Sequence, residues 1–297
     1  MPWESTTLAG VAVSLSEPPP SHVIRGVTFL LTGAMIPEKE YESTRRVLCM
    51  ERGLVVIGLY INVLTTAHAW YAEKIPLIYQ AYQQQQRRTT RVTTNPTNHD
   101  HRHHHSLHNN PSSSTISYKE GFHVVGHSVG GKISLLLAAM GESSSSKSSN
   151  DSYEDDMVVR GHASPVRKVL ALDPVDMNPS VFTGKSKQIP SLTSQSKVYI
   201  TWADASSAWT IPPTHNAERI HQALKDNHHQ GNNNHGRQPK VNNPQLQPLI
   251  VHSGAGHMAY TDFGGGWLGQ CLMGRRGKKE SNRAALEQVH TLIRKEF

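Results

Sequence analysis

The segment Gly126-His127-Ser128-Val129-Gly130-Gly131 places a serine between glycines two residues before and two residues after it. A serine hydroxyl becomes an acyl-transfer nucleophile when a base activates it. Glycines at these positions let a strand and a helix crowd against a strained turn that exposes the serine. The preceding run, Phe122 to Val125, reads as a strand, and residues 132–137 read as a helix. The pattern predicts a nucleophile elbow with Ser128 as the nucleophile.

Acyl transfer to a serine also needs backbone N–H donors for the oxyanion that forms in the transition state. Val129 opens the predicted helix, where free N–H groups and the positive end of the dipole lie. A second donor is expected from the loop after an earlier central strand. The apolar run Val27 to Leu31 leads directly into such a loop, so we predict the N–H of Ala34 or Met35 as that donor.

A general base should follow the nucleophile, with a carboxylate between them in the chain. His257 follows the last predicted strand on a glycine-containing loop that would let the imidazole reach Ser128. His252 lies within that strand and is expected to be a packed residue. We therefore predict His257 as the base.

Two carboxylates stand where a strand ends and could orient the histidine. Asp173 closes the run Lys168 to Leu172, and Asp204 ends the run Tyr199 to Ala203. Position along the chain does not separate these two candidates for the acid.

Six apolar runs bounded by turn residues predict strands, and five segments between or after them predict helices. The predicted strands are Val23 to Leu31, Leu54 to Ile61, Phe122 to Val125, Lys168 to Leu172, Lys197 to Trp202 and Leu249 to His252. The predicted helices are Glu38 to Glu51, Ala67 to Gln85, Gly130 to Met140, Asn216 to Asp226 and Asn282 to Phe297. Because strands and helices alternate, we predict an α/β fold with a mostly parallel sheet covered on both faces.

Polar low-complexity stretches near 83–117, 141–164 and 227–248 interrupt this order. They are expected to be loop insertions on the surface of one catalytic domain, 22–297, preceded by an N-terminal extension, 1–21. With 297 residues, the chain is long enough for one sizeable core. The first insertion is rich in histidine, but no acidic or cysteine ligands at a defined spacing complete a metal site.

Composition narrows the classes of function further. The chain has two cysteines, Cys49 and Cys271, so neither a disulfide framework nor a zinc site is expected. No segment reaches the length of a transmembrane helix, and no interleaved aromatic and basic motif suggests nucleic-acid binding. The net charge of +7 is scattered. The basic residues are densest near the carboxyl end, at Arg275, Arg276, Lys278 and Lys279. This cluster is expected to be a solvated loop, and the alternative is a weak contact with an anionic membrane surface.

Three segments together resemble the plant and algal chlorophyllases and their relatives: Gly126 to Lys132, Leu172 to Asp176, and Gly256 to Met258. The resemblance spans roughly residues 22 to 262 and skips the polar insertions. It implies a serine esterase of the α/β-hydrolase fold. In that family the acid lies in the Asp-Pro-Val segment, which favours Asp173 over Asp204 and leaves Asp176 as the least favoured choice.

The resemblance implies cleavage of a carboxylic ester through an acyl-enzyme, with a lipophilic ester such as the phytyl ester of chlorophyll as substrate. Val129 stands where chlorophyllases usually carry arginine, so a carboxylesterase or lipase-like substrate remains open. Two other classes stay as alternatives: a non-catalytic binding or scaffold protein with this fold, and an acyltransferase using the same triad. No cofactor is implied. The N-terminus lacks a secretory pattern, so a soluble intracellular protein is expected, cytoplasmic by default and with a plastid as the alternative.

Overall fold

The computed structural model describes residues 3–62, 67–93, 121–140, 166–176, 181–183, 192, 196–205, 216–231, 245–262 and 277–297. For residues 89–93 and 227–231 the structure describes the helical backbone but not the side chains. The predicted histidine-rich insertion after residue 93, Cys271, Arg275 and Arg276 lie outside the described residues.

One sheet of eight strands organises the described part of the chain, in the order β1-β2-β4-β3-β5-β6-β7-β8. The strands are β1 (Glu4–Leu8), β2 (Val11–Ser16), β3 (Gly26–Ala34), β4 (Leu54–Ile61), β5 (Phe122–His127), β6 (Val166–Leu172), β7 (Lys197–Ala203) and β8 (Ile250–His252). Strands β3 to β8 pair in parallel, whereas β1 and β2 form an antiparallel edge. The carboxyl ends of six strands therefore meet at one edge of the sheet.

Helices follow the strands as the sequence predicts. They are α1 (Glu42–Arg46), α2 (His68–Thr93), α3 (Val129–Met140), α4 (Ala217–Gly231) and α5 (Lys279–Glu296). A 3₁₀ turn, Glu38–Tyr41, and a π-helical turn, Val47–Glu51, extend α1 on both sides, and another 3₁₀ turn spans His257–Tyr260. The predicted helices ending at Gln85 and Asp226 are too short, because α2 and α4 run on into segments that we expected to be loop insertions.

Two apolar cores lie on opposite faces of the sheet. Alternate residues of the central strands enter each of them because successive side chains of a strand point to opposite faces. Phe29, Ile57 and Val124 belong to the core that also holds the apolar residues of α2, α3 and α4. Leu30, Val56 and Val125 belong to the core that holds residues of 38–51 and of α5. The doubly covered, mostly parallel sheet is therefore as predicted.

The amino-terminal hairpin is the main departure from the sequence-based expectation. Residues 1–21 were expected to be an extension, yet β1 and β2 are part of the sheet, and β2 pairs with β4. The turn between them uses Ala9 and Gly10 in left-handed conformations, with φ of 50° and 75°. A turn with two positive φ angles matches the twist of the two strands that it joins.

None of the helices in the described residues is long and apolar enough to cross a membrane. Within the same residues, no group of three or more histidine, cysteine or acidic side chains is arranged to hold a metal ion. Cys49 is a buried free thiol. Lys278 and Lys279, the described members of the predicted basic cluster, are exposed.

Candidate active site

Ser128 occupies a strained turn between β5 and α3. Its φ of 57° lies in the left-handed region, which is uncommon for residues other than glycine. A Cβ atom on Gly126 would lie 2.2 Å from the Gly130 carbonyl oxygen, and one on Gly130 would lie 2.5 Å from the Leu31 carbonyl oxygen. Glycine is therefore required at both positions for strand and helix to approach each other. The turn has the strand, turn and helix context predicted for a nucleophile elbow.

The neighbouring strand β6 fixes this turn through backbone hydrogen bonds. The Ser128 N–H donates to the Leu172 carbonyl at 2.9 Å, and the Val175 N–H donates to the Ser128 carbonyl at 3.2 Å. Residues at the end of β6 thus hold the serine and present the next residue, Asp173, on the same side of the sheet. Asp173 is itself in a left-handed conformation, with φ of 42°.

Asp173 and His257 form a buried pair. The Nδ1 atom of His257 lies 2.6 Å from Oδ2 of Asp173, and the two residues are 1% and 2% exposed. A carboxylate accepts the proton of Nδ1, which leaves Nε2 of a neutral imidazole unprotonated. Nε2 of His257 is buried and has no hydrogen-bond partner among the described residues. The pair therefore presents a proton acceptor whose orientation is fixed by Asp173.

The other predicted acids have different partners. Asp204 lies at the surface, where its carboxylate accepts hydrogen bonds from the Ser253 hydroxyl at 2.9 Å and the Gly254 N–H at 2.5 Å. Asp176 is buried and forms an ion pair with Lys132, at 3.1 Å from Oδ1 to Nζ. Neither carboxylate is hydrogen-bonded to His257 among the described contacts.

The three candidate oxyanion donors differ in the structure. Val129 is the first residue of α3, where backbone N–H groups have no partner within the helix. Met35 has φ of 61°, and its N–H donates to the Ile61 carbonyl at 3.1 Å. The Met35 N–H is therefore engaged in the pairing of β3 with β4. Ala34, the other loop candidate, lies opposite Ile61 in the same ladder.

Sequence reasoning did not identify Tyr41 and His127 as members of the site. The Tyr41 hydroxyl lies 2.7 Å from Nδ1 of His127 and accepts the Gly33 N–H at 2.8 Å. Nε2 of His127 lies 2.9 Å from the carbonyl oxygen of His257. The one available signal was the position of His127 beside Ser128, because Tyr41 is 86 residues away in the chain.

Burial determines the charge state of these two side chains. Desolvation, followed by repulsion from His257, holds the pKa of His127 well below its usual value, so the ring is neutral near pH 7. Burial raises the pKa of Tyr41, so its hydroxyl keeps its proton. Tyr260, packed against His127 with ring centroids 5.7 Å apart, also has its pKa raised, chiefly by burial.

A scan against protein-family models and a search of curated proteins found no match. Among solved structures, the chain is similar to esterase 2 of Thermogutta terrifontis phosphorylated by paraoxon, with a TM-score of 0.54 and 12% identity over 99% of this chain and 95% of that chain. The butyrate-bound structure of that organism's Est2 matches with a TM-score of 0.52 and 11% identity over 98% and 93% of the two chains. A bifunctional GH43-CE protein of Bacteroides eggerthii matches with a TM-score of 0.51 and 11% identity, over 96% of this chain and 36% of that one. At such identities the likeness concerns the fold: the chain has the α/β-hydrolase fold that the sequence predicts.

Proposed function

We propose that the chain is a serine hydrolase that cleaves a carboxylic ester through an acyl-enzyme. Ser128 is the nucleophile, His257 the general base and Asp173 the residue that orients the histidine. The observation that carries the proposal is the buried 2.6 Å contact between His257 and Asp173, on the same side of the sheet as a serine held at φ 57°. An elbow serine supplies the nucleophile for acyl transfer, and an oriented imidazole supplies its base.

The reaction follows from the protonation states of these groups. Nε2 of His257 takes the proton of the Ser128 hydroxyl while Oγ attacks the ester carbonyl, and the imidazolium then gives that proton to the leaving alcohol. Water, deprotonated by the same nitrogen, hydrolyses the acyl-enzyme and regenerates the serine. Asp173 keeps Nδ1 protonated throughout, so that Nε2 faces the reacting atoms. These steps use no cofactor or metal.

The N–H groups of Val129 and Ala34 are the proposed donors to the oxyanion. The first lies at the amino end of α3, so the helix dipole adds to its effect on negative charge. The second follows Gly33, whose own N–H is held by Tyr41. Each donor in such a site accelerates the reaction by about 10² to 10³.

The similar esterases support the proposed chemistry. Esterase 2 of Thermogutta terrifontis is described as phosphorylated by paraoxon in one structure and as butyrate-bound in another. Phosphorylation by a reagent such as paraoxon requires an activated nucleophile. We propose that Ser128 reacts with such reagents in the same way.

A lipophilic ester is the proposed substrate class. Met35 and Tyr60, at the carboxyl ends of β3 and β4, are 46% and 38% exposed. The Tyr60 hydroxyl approaches Sδ of Met35 at 3.5 Å, so the two side chains form one apolar surface next to Ala34. Such a surface suits the hydrocarbon part of an ester. The resemblance to chlorophyllases makes the phytyl ester of chlorophyll one member of this class to test.

The test is labelling with a fluorophosphonate probe and turnover of p-nitrophenyl butyrate and chlorophyll, in wild-type protein and Ser128→Ala. The matched control is Ser196→Ala, because Ser196 is also buried but donates its hydroxyl proton to the Val166 carbonyl at the opposite end of the sheet. We expect labelling and turnover to be lost in Ser128→Ala and retained in Ser196→Ala. Folded wild-type protein that neither labels nor turns over any ester would contradict the proposal and favour a binding or scaffold role. Transfer of the acyl group to an added alcohol in preference to water would favour an acyltransferase.

A further inference from the structure

We propose that Tyr41 and His127 are positioning residues that connect the loop carrying the oxyanion donor to the loop carrying the base. The name oxyanion loop is used here for residues 32–36, the end of β3 and the two residues that follow it. The name base loop is used for residues 253–258, which follow β8. The connection is called the Tyr41–His127 relay, and it consists of these two side chains and three hydrogen bonds. This inference rests on the proposed serine hydrolase function.

The relay passes from one loop to the other without a gap. The Gly33 N–H donates to the Tyr41 hydroxyl at 2.8 Å, and that hydroxyl lies 2.7 Å from Nδ1 of His127. Nε2 of His127 lies 2.9 Å from the carbonyl oxygen of His257. Tyr41 is fully buried and His127 is 1% exposed, so these bonds do not compete with water.

The direction of each bond follows from the chemistry of its ends. A carbonyl oxygen only accepts, so Nε2 of His127 must carry a proton and donate it to His257. Burial keeps the ring neutral, so Nδ1 is unprotonated and accepts the proton of the Tyr41 hydroxyl. The hydroxyl, having donated its proton, accepts from Gly33. Every atom of the relay therefore has its partner, and the arrangement permits one tautomer of His127.

Packing leaves little freedom to move these side chains. A Cβ atom on Gly33 would lie 3.1 Å from Nδ1 of His127 and 3.3 Å from the Tyr41 hydroxyl oxygen. The ring centroids of His127 and His257 lie 4.7 Å apart, and Tyr260 packs against His127 from another side. The nearest atom to such a Cβ would be Cδ1 of Ile36 at 2.6 Å, so a side chain at position 33 would crowd Ile36 and both members of the relay.

The two ends of the relay are next to the groups that carry out the chemistry. Gly33 precedes Ala34, the proposed oxyanion donor, and the carbonyl at the other end belongs to His257, the proposed base. His127 itself precedes Ser128. Misplacement of a reacting group by about 1 Å can lower the rate about 10²-fold. A rigid connection among these three positions therefore sets how well the donor, the nucleophile and the base are aligned.

Three variants break different bonds of the relay. Tyr41→Phe removes the acceptor for Gly33 and the donor to His127. His127→Asn keeps an acceptor near the Nδ1 position but loses the donor to His257, whereas His127→Gln keeps a donor near the Nε2 position but loses the acceptor. Tyr79→Phe is the matched control, because Tyr79 is also a buried residue and its hydroxyl donates to the Gly121 carbonyl at the other end of β5.

We expect each relay variant to lower kcat for p-nitrophenyl butyrate by about tenfold to hundredfold, with KM changed less than about twofold, because alignment affects the transition state more than binding. His127→Asn should lower the turnover of ethyl butyrate more than that of p-nitrophenyl butyrate. An alkoxide leaves only when His257 protonates it, whereas p-nitrophenolate leaves without a proton. The double variant Tyr41→Phe/His127→Gln should lose less than the product of the two single losses, because both changes break the same connection.

All rates are measured at a temperature at which circular dichroism shows every variant folded. A kcat equal to that of Tyr79→Phe in all three variants, or a loss confined to KM, would overturn the relay while leaving the serine hydrolase intact. An inactive, unlabelled wild-type protein would overturn both. If the variants do not fold, ¹⁵N-histidine NMR of the wild-type protein decides the matter. We expect the imidazole of His127, identified by its contact with the Tyr41 ring, to be in the Nε2–H tautomer with a slowly exchanging proton. A His127 ring in the other tautomer, or one whose proton exchanges rapidly, overturns the relay.

Discussion

Asp173 and Asp176 lie on the same loop after β6, both are buried, and their partners are different. Asp176 forms an ion pair with Lys132. It also accepts hydrogen bonds from four groups in one segment of the chain: the backbone N–H groups of Val181, Phe182 and Thr183, and the Thr183 hydroxyl. Asp173 accepts from Nδ1 of His257 and, at 3.3 Å, from the Ala203 N–H. The first carboxylate is saturated with donors, whereas the second holds a histidine whose other nitrogen has no partner among the described residues.

The difference separates a structural carboxylate from a proposed catalytic one. A buried charge with all its partners stabilises one conformation and has no capacity left for a substrate. The Asp173–His257 pair passes its orientation on to Nε2, which is available to accept a proton. Mutation of Asp173 should therefore lower ester turnover, whereas mutation of the Asp176–Lys132 pair should lower the free energy of unfolding.

Asp173→Asn should have the largest effect, on catalysis and not on folding. An amide in place of the carboxylate favours the wrong tautomer of His257, and in a serine triad this change lowers kcat by about 10⁴. The thermal unfolding midpoint should change little, because asparagine has nearly the same volume. Ester turnover and circular dichroism of the purified variant check both statements. Turnover within tenfold of wild type would remove Asp173 from the triad.

Lys132→Met should act mainly on stability. The Lys132 side chain is fully buried, and burial lowers its pKa while Asp176 opposes that shift. Removal of one member of a buried ion pair leaves the other without its counter-charge, which costs about 3 to 5 kcal/mol. Urea unfolding should show this loss. The folded fraction of Lys132→Met should keep most of the wild-type kcat, and unchanged stability would show that the pair is not needed for folding.

Acidification should destabilise the protein through its buried histidines. The pKa of His123 is lowered to about 4, chiefly by burial and also by the positive charges of Lys168 and Arg167. The pKa of His68 is likewise lowered to about 4, chiefly by burial and also by the positive charge of Lys132. Because these folded-state values lie below the unfolded value, near 6.5, the unfolded chain binds more protons between them. The stabilisation is therefore complete above about pH 6.5 and declines as the pH falls towards about 4.

His123→Leu isolates one of these contributions. Its free energy of unfolding should depend less on pH than that of the wild type between pH 6.5 and 4, by up to about 1.4 kcal/mol per pH unit for the one proton concerned. Urea unfolding at several pH values measures the slope. Parallel curves for the two proteins would mean that His123 titrates alike in the folded and unfolded chains.

Local patterns were enough to predict most of the central sheet. The run Leu54 to Ile61 coincides with β4, because a central strand covered on both faces is apolar along nearly all of its length. The hairpin at the amino terminus was missed, since Val11, Val13 and Leu15 alternate with small or polar residues over a short span and the turn contains Ala9 in place of a typical turn residue. Short edge strands carry a weak signal of this kind.

The candidate site was predictable in its sequence-local parts only. Ser128 is marked by the glycines around it, and Asp173 and His257 by the strands that they follow. The choice of Asp173 over Asp204 depended on resemblance, because both residues end a strand. The contact of Tyr41 with His127 joins different parts of the chain, and a single sequence carries no signal for such a tertiary contact.

Asp204→Asn should have the smallest effect of the four changes. The Asp204 carboxylate accepts two hydrogen bonds from the turn after β8. Because these hydrogen bonds are exposed, water can replace any of them that the amide does not form. A net hydrogen bond contributes about 0.5 to 1.5 kcal/mol, and an exposed one lies at the lower end of that range. The variant should keep kcat within about twofold of wild type, because the base loop stays tied to the sheet through the Ala205 N–H and the Ala255 carbonyl, 3.0 Å apart.

Comparison of Asp204→Asn with Asp173→Asn decides between the two acids that the sequence left open. Both substitutions replace a carboxylate at the end of a strand by its amide. They differ in the partner that is lost and in burial, because Asp173 is buried and Asp204 is exposed. If the orientation of His257 depends on Asp173, only Asp173→Asn loses turnover with both alkyl and p-nitrophenyl esters. Equal losses in the two variants would mean that the position of the base loop, and not the hydrogen bond to Nδ1, limits the reaction. A loss found only in Asp204→Asn would assign the acid to β7 and make Asp173, like Asp176, a structural carboxylate.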